Sequence, residues 1–141
     1  MREKKWIDCP ACGAKKSMRG QKDMDERFHP KGYPRLDIHG LDGQFCDACG
    51  EGFWSLRSGR LIARLLAEHL ARYDATRVVA AELASVQEAA RALQVTVQGV
   101  HKMMEEGRLR YVFAGDSRLP IRKDLAGRAK TKRRAPTQRP A

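Results

Sequence analysis

Cys9-Pro10-Ala11-Cys12-Gly13 and, 33 residues further on, Cys46-Asp47-Ala48-Cys49-Gly50 decide how the first half of this chain folds. Each Cys-x-x-Cys-Gly suits a knuckle, a tight turn that aims two sulfurs at one metal while backbone N–H groups point at the thiolates. The glycine after each pair permits the backbone angle such a turn needs. Four thiolates complete a tetrahedral shell for Zn²⁺ and leave no open position, so the site expected is structural and holds one ion. The gap is longer than the 15–20 residues of the common template. Spare reduced thiols or a redox pair are the alternatives for the same cysteines. His29 and His39 lie in the insert and read as solvated loop residues, not ligands.

The rest of the composition supports a metal-dependent fold. The chain has 141 residues, of which 42% are hydrophobic and 6% aromatic. That permits one ordinary domain or two very small ones, and small domains short of core need disulfides, metal or a partner. The charged start Met1-Arg2-Glu3-Lys4-Lys5 lacks the apolar stretch of a signal peptide, and no run approaches a membrane span. A reducing cytoplasm, where paired cysteines bind metal, is the expected location, with no membrane partner. The formal net charge is +11, and more than half of that excess lies in residues 126–141, which hold six basic side chains and no acidic one. The high pI therefore points to a polyanion partner without locating its binding surface.

Four segments follow. Residues 1–55 form a four-cysteine zinc-binding domain, with short strands around Lys5-Trp6-Ile7 and Gly52-Phe53-Trp54 and a loop at His29–Pro34. Residues 56–84 form a linking helix. Within it Leu61, Ile62, Leu65, Leu66, Leu70 and Tyr73 make one apolar stripe suited to dimerisation, and Ser58 is the expected N-cap. Residues 85–125 read as helix, turn, helix and hairpin. Ser85-Val86-Gln87-Glu88 is a capping box; Thr96 caps a second helix that ends before Gly107. Val86, Ala89, Ala90, Leu93 and Val100 pack the two helices, and Val95 is expected to plug the turn between them. Residues 126–141 read as a disordered basic tail. The fold class expected is a small two-domain α+β protein.

The second helix presents polar side chains at its start, which suits entry into the DNA major groove. Thr96, Val97, Gln98, His101 and Lys102 are the candidate DNA-binding residues there. Arg108 and Arg110 follow as phosphate contacts, and Arg118 near the hairpin tip as a minor-groove contact. A plain helical hairpin with a solvated face would show much the same pattern.

Two resemblances bear on that choice. Ser85–Leu109, with the hairpin and Ile121-Arg122-Lys123-Asp124-Leu125, resembles the excisionase/MerR-like winged helix-turn-helix group. Gly99 departs from that pattern, where Thr or Ser is usual. Residues 9–55 resemble the YgiT-type zinc finger of MqsA-type antitoxins, in which a Cys-Pro-x-Cys-Gly pair is separated by a long insert from a Cys-x-x-Cys-Gly-Glu pair, here ending at Glu51. The resemblance implies a DNA-binding homodimer, a toxin bound through the zinc domain, and repression of its own operon. The alternatives are a zinc-stabilised interaction adaptor without DNA readout, and an RNA-binding zinc ribbon. No nucleophile–base pair, phosphate loop or open metal position suggests an enzyme.

Overall fold

The computed structural model describes residues 3–134, with side chains through Arg128. The chain divides into two compact units, Met1–Leu65 and Leu66–Ala141. The boundary falls inside the long helix, not at residue 55.

The first unit is built on a sheet of order β1-β2-β3. Strands β1 (Met18–Phe28) and β2 (Leu36–Cys46) form an antiparallel hairpin, and β3 (Gly52–Trp54) pairs with the end of β2. The hairpin replaces most of the irregular insert expected between the cysteine pairs. Only its connection, where the Tyr33 N–H donates to the Pro30 carbonyl at 3.0 Å, is the turn read from the sequence. β1 is exposed along nearly its whole length, so it carries no apolar alternation. Polar pairs across the hairpin stand in for it: Arg27 faces Asp37 in register at 2.9 Å, and His39 meets Asp25 at 2.9 Å. Ile38 and Leu41 on β2 are buried.

Helix α1 (Leu56–Asp74) starts two residues before the expected cap. Ser55, not Ser58, serves its first turn: its hydroxyl accepts from the Ser58 N–H at 3.1 Å and its carbonyl from the Gly59 N–H at 2.8 Å. Ser58 is fully buried, and its hydroxyl accepts the Asp42 N–H at 2.8 Å, tying the helix start to β2.

In the second unit a single 3₁₀ turn, Ala80–Glu82, leads into α2 (Val86–Leu93) and α3 (Val97–Glu105). The Ser85/Glu88 capping box is formed in both directions. Thr96 caps α3 by accepting the Gly99 N–H at 3.0 Å. Strands β4 (Tyr111–Ala114) and β5 (Ser117–Pro120) make a two-residue hairpin, and α4 (Arg122–Arg134) closes the unit. Ala71, Ala89, Leu93, Val100, Met104, Leu109, Tyr111 and Leu125 belong to one buried core. Val95 is not in it; the side chain is 38% exposed, directly after Gln94, whose left-handed conformation ends α2.

α4 also runs through the first half of the stretch expected to be disordered. Asp124 sits in its first turn, where a carboxylate complements the helix dipole, and pairs with Arg128 one turn on. Residues 135–141 of that expected tail lie outside the described residues.

Candidate functional site

The sheet brings the two cysteine pairs together. Met18 and Cys46 are register partners, so the first knuckle, just before β1, faces the second, just after β2. Hydrogen bonds close each turn: the Gly13 N–H donates to the Cys9 carbonyl and the Gly50 N–H to the Cys46 carbonyl, both at 2.9 Å. Gly13 and Gly50 have φ of 75° and 77°, the left-handed angle that makes glycine the economical choice at both positions.

The four sulfurs lie within 4.8 Å of one another, the one such cluster of potential ligands among the described residues. Cys9 Sγ is 3.7 Å from Cys49 Sγ, and Cys12 Sγ is 3.8 Å from Cys46 Sγ. A tetrahedral ion with Zn–S bonds of about 2.3 Å separates its sulfurs by roughly 3.8 Å, so the donor set fits such an ion. A disulfide, at about 2.05 Å, does not fit these distances, and all four cysteines are free. Backbone N–H groups of Cys12 and Ala48 point at Cys9 Sγ and Cys46 Sγ, at 3.5 and 3.3 Å.

The sulfurs also compete electrostatically. The Ser17 hydroxyl, 3.3 Å from Cys46 Sγ, and the N–H groups of Cys49 and Ala48 bring the Cys46 thiol down to about 6. Cys49 moves the other way, to about 12. The Glu51 N–H favours its thiolate, but desolvation and the crowding sulfurs of Cys12, Cys46 and Cys9 outweigh that bond. One thiolate forms readily and another resists, which is the condition a bound dication relieves. Ser17 was not singled out in the sequence; only the hairpin register places it against Cys46.

The other expected site residues all lie in the second unit. Thr96, Val97, Gln98, His101 and Lys102 are exposed together along the first two turns of α3. Lys102 and Arg108 both reach Glu106, at 3.8 and 2.6 Å. Arg110 is exposed, but its guanidinium pairs with the buried Asp74 and its N–H donates to the Asp124 carboxylate at 3.0 Å. Arg118 is partly buried, 3.7 Å from Glu68 and over the rings of Tyr111 and Phe113. The structure thus brings five of the candidates together on α3 and gives Arg110 and Arg118 carboxylate partners within their own unit. Asp74, at the end of α1 and also joined by Arg77 at 3.1 Å, was missed in the sequence because a lone helical Asp carries no signal of its own.

Residues 7–114 match the family model described as the antitoxin component of bacterial toxin–antitoxin systems, MqsA. The chain belongs to the MqsA antitoxin family. The match takes in both knuckles, α1, α2, α3 and β4, so the family assignment rests on both units. No curated protein and no solved structure matches the chain. The excisionase/MerR-like resemblance of residues 85–125 has no counterpart among these matches. Among the described residues no helix is long and apolar enough to cross a membrane.

Proposed function

We propose that this MqsA-family chain is a zinc-stabilised, double-stranded-DNA-binding repressor of its own operon, the antitoxin partner of a toxin. The observation that supports DNA readout best is the exposed start of α3. A capped helix there offers Gln98 and Lys102 to base edges, Val97 to a thymine methyl and His101 to a base or phosphate. α2 packs behind it through Ala89 and Ala90, and the β4–β5 hairpin follows as a wing would. In this reading residues 85–125 are a winged helix-turn-helix. Arg108 adds a phosphate contact by exchanging Glu106 for the backbone. Arg110 and Arg118 mainly brace the unit, and any phosphate contact shares their guanidinium with Asp74 or Glu68.

Zinc suits four thiolates better than harder divalent ions do, and the closed donor set supports a structural role for it. The first unit then serves as the toxin platform, in the cytoplasm, and the chain acts as a homodimer reading a two-fold site. The family, with its toxin partner, also supports a regulatory and non-enzymatic role.

The test is binding of zinc-loaded protein to its own promoter fragment and to scrambled DNA across a salt series. Tight binding that survives competitor, and is lost in a folded Gln98→Ala/Lys102→Ala double variant, is expected. Equal, weak binding to both fragments that collapses with salt would leave an interaction adaptor.

A further inference from the structure

The first unit carries a groove that neither the metal site nor α3 uses. It has a volume of about 950 Å³, large enough for an organic ligand, and its lining includes Lys4, Lys5, Lys22, Gly20, Gln44 and Phe53. Gly20, Gln44 and Phe53 are consecutive register partners across β1, β2 and β3, so they form one row on the sheet face. A side chain at Gly20 would meet nothing within 4 Å, which leaves that end of the row open.

The remainder of the floor is aromatic. Trp6 stacks on Phe53 with ring centroids 6.0 Å apart and 25° between planes. The Trp6 backbone N–H donates to the Gln44 side-chain oxygen at 2.9 Å, and the Gln44 amide nitrogen donates to the Lys4 carbonyl at 3.1 Å. Those two bonds fix the N-terminal segment on the sheet. Lys4 Nζ covers the Trp6 ring at 4.0 Å, whereas Phe53 remains 47% exposed. Trp6 is thus engaged by both Lys4 and Phe53, while Phe53, stacked against Trp6, keeps about half its surface open.

The charges at this groove do not cancel. Glu3 accepts the Leu56 N–H, and Asp42 is held by Arg57 at 2.7 Å and by the Asp23 N–H at 3.2 Å. Both carboxylates are therefore committed to the fold. Lys5 and Lys22 make no close ion pair among the described residues, Lys22 feeling Asp42 only as a weaker Coulombic neighbour, and they come from two different segments.

We infer that this sheet face binds single-stranded nucleic acid, stacking a base on Phe53 and taking the flanking phosphates on Lys5 and Lys22. An antiparallel sheet that presents aromatic rings beside lysines binds unpaired bases by this physics, since every base has a π-face and the backbone is anionic. An acidic peptide satisfies the lysines but has less use for a flat, open row ending at a glycine. This site is separate from the duplex reading of α3.

The test uses the full zinc-loaded chain and a fluorescein-labelled octamer of uridine or thymidine, at moderate salt. The tryptophans, at positions 6 and 54, both line this groove, so stacking also quenches intrinsic fluorescence. Phe53→Ala removes no charge and is expected to weaken octamer binding about tenfold or more, with duplex promoter binding and zinc content unchanged. Lys5→Glu/Lys22→Glu is expected to weaken it and flatten its salt dependence. If Phe53→Ala leaves octamer affinity intact, the octamer is held only by general positive charge and the proposal fails. It also fails if an eight-residue Asp/Phe peptide quenches the tryptophans while the octamer does not, which would give the groove to a protein partner. Loss of octamer binding with duplex binding retained separates this site from the function proposed for α3.

Discussion

The two units solve the same problem, a small chain with little apolar material, by different means. The second packs ten buried residues into one cluster, from Ala71 on α1 to Leu125 on α4. The buried cluster at the knuckles of the first is Cys9, Met18 and Cys46, with Trp6 and Ala14 against it. Two of those three belong to the four-cysteine cluster that could hold a metal ion. The contrast teaches where each fold is encoded: side-chain volume and caps specify the second unit, and a four-sulfur cluster suited to a metal marks the knuckle end of the first. A strand as exposed as β1 is then tolerable, because the sulfurs at its end supply what a core normally would.

The largest effect that bears on this contrast is removal of the metal. Binding to four thiolates contributes on the order of 10 kcal/mol in small zinc modules, more than the total stability of many domains. Chelation, or Cys46→Ser, is expected to unfold the first unit and leave α2, α3 and α4 formed. Trp6 and Trp54 both report on the first unit, so tryptophan emission should shift red while far-UV helical signal at 222 nm largely survives. Acid acts in the same sense: protons compete for the thiolates, so metal is released as pH falls. Loss of both signals together, in one transition, would break the comparison.

The sequence showed these two encodings unequally. The four-cysteine cluster was legible because Cys-x-x-Cys-Gly is chemically constrained at every position but two. The α2–α3 pair was legible because Ser85, Glu88 and Thr96 are caps with local hydrogen-bond partners. The β1–β2 hairpin was not, since Arg19 to Glu26 is nearly all polar and its pairing rests on charges such as Arg27–Asp37, which only the register brings together. Asp74 was missed and Ser58 misjudged for a related reason. Each is a polar residue whose partner, Arg110 or the Asp42 N–H, is 36 or 16 residues away. For the residues proposed to meet DNA, the sequence did not show the carboxylates that hold Arg108, Arg110 and Arg118.

A core deletion in the second unit sharpens the comparison from the other side. Met104 on α3 is fully buried and shares its cluster with Ala89, Val100 and Leu109. Met104→Ala is expected to cost about 2–5 kcal/mol, the range for removing a buried large side chain. Urea unfolding followed by the 222 nm signal should move to a lower midpoint, while zinc stoichiometry stays at one per chain and tryptophan emission is unchanged. Zinc loss in this variant would mean that the first unit depends on the packing of the second.

The smallest expected effect tests the caps that make the second unit readable. Ser85→Ala removes the hydroxyl that accepts the Glu88 N–H at 3.0 Å, and should cost about 1 kcal/mol. The reciprocal half of the box is pH-dependent. The Glu88 carboxyl is held below its ordinary value, first by the Ser85 N–H and then by the Arg122 guanidinium, 3.3 Å away. A carboxylate depressed in the folded state contributes stability above its unfolded pKa of about 4.3, and loses it as pH falls through the folded value. Glu88→Ala should therefore lower the melting temperature of the second unit at pH 7, and the gap from the parent chain should close as the buffer is taken well below pH 4. The zinc-free chain is the right sample, because acid strips the metal from the first unit and would otherwise superimpose its own transition. A gap that stays constant through that pH range would mean Glu88 acts through its methylenes and helix propensity, and that the box is held by Ser85 alone.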